Sequence, residues 1–248
     1  QTIAWLFKRL PMYQRVGMPA MRLGLDQMNR LSAAIGNPHC SLKCIHIAGT
    51  NGKGSTAHML ASVLQTAGYT VGLYTSPHLK DFRERIKING QPIDKENVVD
   101  FVNQHLKKFE AGNYSFFEAT VGMAFSSFAQ AQVDVAIIEV GLGGRLDATN
   151  IITPILSVIT HISKDHQQFL GHTIEAIAGE KAGIIKEKVP IVLGQNEKTV
   201  KKVILEKAKS TSSNVFFANQ TESYTTDLLG DYQKENLATA YMLSLIHI

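Results

Sequence analysis

Only two cysteines, Cys40 and Cys44, occur among the 248 residues. Two thiols cannot staple a chain of this length, and a lone Cys-x3-Cys with no second ligand pair makes a poor zinc site; both are expected to be reduced and structural. No apolar run approaches the ~20 residues that a membrane span requires. The chain does not open with the charged, apolar and small-residue segments of a signal peptide, so a cytoplasmic protein without a membrane partner is expected. A block of one charge is also missing. Lys and Arg number 25 against 21 Asp and Glu, a net +4, and the basic residues are scattered among acids, which argues against dedicated nucleic-acid binding. That weak positive balance suits small anionic ligands. There is no internal repeat, no low-complexity tract and no obvious linker before residue 220. An initiating methionine is absent too, and the opening Gln1 is what a fragment would show.

What is present reads as α/β. Hydrophobic residues at 44% and charged residues at 19% are ordinary for a globular chain. The length admits one large domain, or one domain plus a fragment. Val- and Ile-rich runs at 43–48, 69–75, 133–140, 155–162 and 189–193 are separated by longer segments with helical spacing. This alternation predicts a mostly parallel sheet with helices on both faces. Segment 94–111 starts at a plausible Asp94 cap and sets Val98, Phe101, Val102 and Phe109 on one stripe, while 116–132 is apolar enough for a buried helix. In ERIKINGQPI the alternation turns about Asn89-Gly90, predicting a small hairpin with a two-residue turn.

Residues 44–60, CIHIAGTNGKGSTAHML, carry the strongest chemical signal. Ile45 and Ile47 end a buried strand, Gly49 to Ser55 forms the turn, and Met59, Leu60, Val63 and Leu64 give the next helix an apolar face that Gly68 closes. Glycines let successive N–H groups point inward with no Cβ in the way, and the helix N-terminus adds positive potential. Lys53 would reach terminal phosphates as a point charge and Ser55 would offer its hydroxyl to Mg2+. A glycine-rich turn could merely reverse the chain, but strand, loop, Lys, Ser and helix in that order favour polyphosphate. The spacing differs from the common P-loop, because Gly54 separates Lys53 from Ser55.

Other candidates keep two readings. Glu139 follows VDVAII and so sits at the carboxyl end of a central strand, where open α/β sheets hold ligands; it can hold Mg2+ or be a capping or salt-bridged acid. Asp134, at the other end of that strand, is structural. His166 follows the next strand, but a lone histidine is more often a satisfied polar residue, as His161 is expected to be. Lys181 in GEKAGIIK is either a solvated helix charge or, given Ala178, Gly179, Ala182, Gly183 and Ile184 around it, a closely packed amine of lowered pKa. Arg145 and Asp147 could form a surface ion pair, and DFRER a solvated charge cluster.

HIAGTNGKGS resembles the nucleotide loop of the Mur ligase superfamily, in particular its folylpolyglutamate synthase and dihydrofolate synthase branch. The resemblance continues through YTSPHLKDFRERIKING, FFEATVGMAF, EVGLGGRLDATN, SKDHQQFLGHTIEAIAGEKAGIIK and GDYQKENLATA, covering most of 43–240 in order. It implies ATP-dependent amide formation, in which a pteroate or folate carboxylate takes the γ-phosphoryl group and the amine of glutamate then displaces phosphate. The catalytic group would be Lys53, Glu139, His166 and Lys181. ATP would meet Gly49, Thr50, Asn51, Gly52, Lys53, Gly54, Ser55 and Thr56, with Gln233 and Asn236 from a late helix. Two Mg2+ ions would be held among Ser55, Ser76, Glu139, His166 and Lys181, the lysine having reacted with CO2 to become a carbamate. The pterin or folate would lie among Ser76, His78, Arg83, Phe117, Arg145, Asp147 and Ala148, with Asp147 on the pterin nitrogens and Phe117 against the flat ring.

The resemblance further implies a helical segment over 1–42 ahead of the 43–240 core, and a second domain that completes the ATP and glutamate sites. Nothing in the sequence corresponds to that domain, and the closing LSLIHI departs from the expected pattern. The 248 residues are accordingly expected to be a monomer that is inactive alone, with only small molecules as partners. A muramoyl-peptide amino-acid ligase would share the chemistry, but SPHL and GRLDATN speak against it. A P-loop NTPase without ligase activity would have no reason to pair Glu139 and His166 with an unusual lysine.

Overall fold

A computed structural model describes residues 24–219 and 229–245, together with Leu6, Arg9, Leu10 and Thr226. Its elements are α1 (Asp26–Ala34), β1 (Cys44–Ala48), α2 (Lys53–Thr66), β2 (Val71–Tyr74), β3 (Ile86–Ile88), β4 (Gln91–Pro92), α3 (Lys95–Ala111), α4 (Phe116–Gln130), β5 (Val135–Glu139), β6 (Leu156–Ile159), α5 (Gln167–Leu170), α6 (Ile174–Ala182), β7 (Ile191–Leu193), α7 (Lys198–Ser210), β8 (Val215–Phe217) and α8 (Tyr232–Leu245). Of the expected helical segment 1–42, only α1, a 3-10 turn at Pro38–Ser41 and a few single residues fall within the described part.

The strands order as β4-β3-β2-β5-β1-β6-β7-β8. From β2 to β8 the neighbours pair in parallel, and β3 and β4 add an antiparallel hairpin at one edge. Asn89 and Gly90 both have positive φ, 48° and 77°, as a tight two-residue turn requires. Side chains alternate across the sheet. Ile45, Ile47, Leu73, Ile137 and Val158 pack on one face with Ala57 and Leu60 of α2 and Leu243 of α8. On the other face Tyr74 and Ile138 meet α1, α3 and α4, while Ile159 and Ile191 meet α6 and α7. Helices covering both faces explain why β1 and β5 are buried along their whole length and read as continuous apolar runs.

The stripe Val98, Phe101, Val102, Phe109 is buried as its spacing predicts. Asp94 does stand at the N-cap of α3, but its carboxylate caps nothing. Working caps stand at α4, where Ser115 accepts from Glu118 N–H at 3.1 Å and Glu118 accepts from Ser115 N–H at 2.7 Å, and at α6, where Thr173 accepts from Ala176 N–H at 3.2 Å. Cys44 is buried, whereas Cys40 is exposed and so has no core role; both are free thiols. No helix among the described residues is long and apolar enough to cross a membrane.

Chain direction sets the site. β1 leads through α2 to β2 on one side, whereas β5 leads to β6 on the other side of β1. The carboxyl ends of β5, β1 and β6 therefore border a crevice at the point where the winding reverses, the usual ligand position in open α/β sheets.

Candidate nucleotide and acceptor site

The loop after β1 opens into this crevice. Gly52, at φ 83°, stands where α2 begins and provides no side-chain cap. Among the described residues the N–H groups of Lys53, Gly54 and Ser55 find no hydrogen-bond acceptor, so a helix of 14 residues presents its first turn unpaired. Such an end attracts anions. Lys53 folds back over the loop, its Nζ donating to the carbonyls of Gly49 and Thr50, each at 3.1 Å. The loop is pinned from β6: Thr50 N–H donates to His161 O at 2.8 Å, and the Thr160 hydroxyl donates to Asn51 O at 2.7 Å. His161, expected to be merely a satisfied polar residue, thus anchors the loop through its backbone. Thr56, counted with the loop by its sequence position, is fully buried and has no surface to offer a ligand. Gln233 and Asn236 of α8 are buried and bonded to each other at 2.8 Å, with Asn236 so close that a Cβ on Gly52 would collide with it.

Glu139 ends β5 beside this loop, near Gly54. One oxygen accepts from Ser76 N–H at 2.9 Å and the other accepts no hydrogen bond from the described residues. Burial raises its pKa from 4.5 to about 7, and Lys53 opposes the rise. Lys181 on α6 is 4% exposed and donates to Gly49 O at 2.8 Å. Burial, reinforced by Lys53, lowers its pKa from 10.5 to about 7, so near neutrality much of it is an uncharged amine. His166 is about half exposed, lies 3.5 Å from Asp165, and lines a small cleft with Gly49, Lys53, Gly141 and Lys181.

Among the described residues no three His, Cys, Asp or Glu side chains converge on a metal position. The donor chemistry nevertheless suits one hard cation: Glu139 has an unclaimed oxygen next to Gly54, the following residue Ser55 carries a hydroxyl, and Mg2+ usually completes its shell with water and phosphate oxygens. A second cation fits less directly, because Lys181 offers an amine where an oxygen donor would be needed.

The acceptor side lies beyond Glu139. Phe117 lies against Gly141, its ring 6.3 Å from that of Tyr74. His78 meets Phe82 edge-on at 6.2 Å, and Phe82 meets Phe116 at 5.8 Å. Three expected ligand residues are otherwise engaged. Arg83 pairs with Asp81 at 2.8 Å, and Arg145 pairs with Glu180 rather than Asp147, at 2.9 Å on the surface. Asp147 is buried and accepts from Leu142 N–H at 2.8 Å, Thr149 N–H at 3.0 Å and the Thr149 hydroxyl at 2.5 Å. The Thr149 oxygen in turn lies 2.8 Å from His46 Nε2, which must donate because the hydroxyl proton is already committed. Asp147 is thus the brace of its own glycine-rich loop, and Ala148 beside it is nearly buried.

Arg85, two residues beyond Arg83, is the group that the pattern did not single out. It is 5% exposed, donates from Nε to His78 Nδ1 at 2.8 Å, and sits over the Phe116 ring at 5.6 Å. A larger cavity of about 350 Å3 opens beyond β6 and β7, lined by His161, Gln195, Asn196, Lys201, Phe217 and Glu235 among others.

The Mur ligase middle-domain family model matches residues 47–218. A dihydrofolate synthase/folylpolyglutamate synthase of Bacillus subtilis is 40% identical over 88% of this chain and 58% of its own length. The folylpolyglutamate synthase of Lacticaseibacillus casei is 40% identical over 86% of this chain and 57% of its own. Among solved structures, the apo form of L. casei FPGS superposes with a TM-score of 0.89 at 36% identity, covering 98% of this chain and 65% of that one. An FPGS-AMPPCP-folate complex gives 0.88 at 36% identity, with the same coverage. The chain thus spans less than two thirds of the relatives it matches.

Proposed function

The chain belongs to the Mur ligase middle-domain family, and from that premise we propose that it forms the ATP- and acceptor-binding part of a ligase that joins L-glutamate to dihydropteroate or a reduced folate. We read residues 1–42 and 43–240 as parts of one nucleotide-binding domain. The observation that carries this reading is the buried Glu139 carboxylate beside the uncapped, glycine-lined start of α2, with one oxygen unclaimed.

An acceptor carboxylate oxygen attacks the γ-phosphorus and ADP leaves; the glutamate amine then attacks the acyl carbon, phosphate leaves and a proton is lost. The unpaired N–H groups of Lys53, Gly54 and Ser55 bind the phosphates, and the Lys53 ammonium exchanges the carbonyls of Gly49 and Thr50 for the terminal phosphate oxygens. Asn236 and Gln233 close the loop from α8. The cavity beyond β6 has a volume within the ~300–1,000 Å3 of small-molecule sites and leaves room for a base. Phe117, His78 and Ala148 border the place of the flat acceptor ring, next to Ser76 and Glu139. Magnesium, held by Glu139 with Ser55 and Ser76, would offset the phosphate charge when bound.

The unprotonated Lys181 amine can add to the carbon of CO2 and lose a proton, which replaces an amine with an oxygen-donor anion beside His166. Crystals grown near pH 8 with bicarbonate should show three extra atoms on Nζ. A bare, mobile amine under those conditions would remove the carbamate from this scheme.

Calorimetric titration tests the ligase reading. With Mg2+ and a non-hydrolysable ATP analogue present, dihydropteroate or a reduced folate should bind and a UDP-sugar should not. Binding of the UDP-sugar alone would reassign the acceptor.

A further inference from the structure

Two arginines stand two positions apart in DFRER, and the structure treats them oppositely. Arg83 lies at the surface with its charge answered by Asp81 at 2.8 Å. Arg85 is 5% exposed, and no carboxylate among the described residues lies within ion-pair distance of it. Among the described residues its Nε donates to His78 Nδ1 at 2.8 Å, and no other hydrogen bond of good geometry reaches the guanidinium, whose terminal nitrogens are not among the side-chain atoms sealed from solvent. The neighbouring Tyr74 hydroxyl lies within reach of the guanidinium and is itself sealed from solvent. A buried cation with no anion beside it is costly unless one is meant to arrive.

Resting on the ligase reading above, we propose that Arg85 is the anion-recognising residue of the acceptor site, gripping a substrate carboxylate with its terminal nitrogens. The surroundings select the chemistry. Phe116 lies under the guanidinium at 5.6 Å, with Phe82 and the Tyr74 ring nearby, so the wall suits a flat aromatic acid. The uncapped loop that suits phosphate lies on the other side of Glu139. The planar fork of a guanidinium matches a carboxylate with two parallel hydrogen bonds, a geometry that Lys cannot reproduce. Glu139 does not serve as counter-ion: it is not within ion-pair distance of Arg85, and one of its oxygens is held by Ser76 N–H.

The test is a double comparison by calorimetry on the 248-residue chain, with Mg2+ and a non-hydrolysable ATP analogue. Dihydropteroate and the same molecule lacking its carboxylate are titrated into wild type, Arg85→Gln and Arg85→Lys. Wild type should prefer the acid by roughly tenfold or more, the size of a charge-assisted pair. Arg85→Gln should bring the two ligands within about threefold by weakening only the acid, and Arg85→Lys should restore part of the preference. Arg85→Lys also decides the matter should Arg85→Gln fail to fold, because its point charge should keep only part of the wild-type preference. An undiminished preference in Arg85→Gln, or in Arg85→Lys when the first variant is unfolded, overturns the assignment. If neither compound binds wild type, the ligase reading itself falls and takes this site with it.

Discussion

Replacing Glu139 by Gln is expected to raise the stability of the cation-free protein by about 3 kcal/mol at pH 8 and to abolish cation-dependent nucleotide binding. The first effect follows from the raised pKa, 4.5 to about 7, at ~1.4 kcal/mol per pH unit. Between those values the folded state holds a proton that the unfolded state has released, so wild-type stability falls as pH rises through this window. The penalty is complete above about 7 and absent below about 4.5. Gln keeps an oxygen for the Ser76 N–H and carries no charge, so it escapes the penalty. Denaturant melts in EDTA at pH 4 and pH 8 measure this directly: the gain should appear only at the higher pH. The second effect follows from losing the unclaimed oxygen beside Gly54, which a neutral amide replaces poorly as a hard-cation donor. An equal gain at both pH values would remove the buried-carboxylate account, and undiminished Mg2+-dependent binding would remove Glu139 from the site.

Lys53→Ala should lower MgATP affinity at least tenfold. The ammonium is already held over the loop by Gly49 O and Thr50 O, and a charge-assisted hydrogen bond to phosphate contributes ~1.5–3 kcal/mol. A second readout comes from the neighbours. Lys53 lowers the pKa of both Lys181 and Glu139, so removing it should raise both. The stability loss that wild type shows as pH rises toward 7 should therefore extend to higher pH in the variant. Unchanged nucleotide affinity in a folded variant would mean that the loop holds something other than phosphate.

The pattern of the chain carried the architecture because secondary structure depends on neighbours. Doubly buried strands must be apolar throughout, so β1, β2, β5, β6 and β7 were legible as Val- and Ile-rich runs, and α3 as a 3.6-residue stripe. The Asn89-Gly90 hairpin and the Gly49–Ser55 loop were legible for the same reason, since backbone conformations that favour glycine or asparagine leave a mark at the residue itself. Gln233 and Asn236 could be connected to the loop only by resemblance, because the contact with Gly52 joins segments about 180 residues apart.

Which polar groups are free to act was settled elsewhere, in the tertiary structure. Arg83 and Arg85 differ in nothing the sequence displays; a partner at Asp81 satisfies one, and the packing of Phe116 and Tyr74 strands the other. Arg145 and Asp147 look like a pair, yet the fold brings Glu180 to the arginine and turns the aspartate inward onto Thr149 and Leu142. Glu139 and Lys181 are ordinary charges until burial raises one pKa and lowers the other. The sequence by itself determined the layered sheet, the glycine-rich loop after β1 and the end of the sheet at which the candidate site lies, since each rests on local periodicity and backbone conformation. Only the tertiary structure decided which charges are answered and which are left for a ligand, because desolvation and pairing depend on atoms brought together from distant parts of the chain.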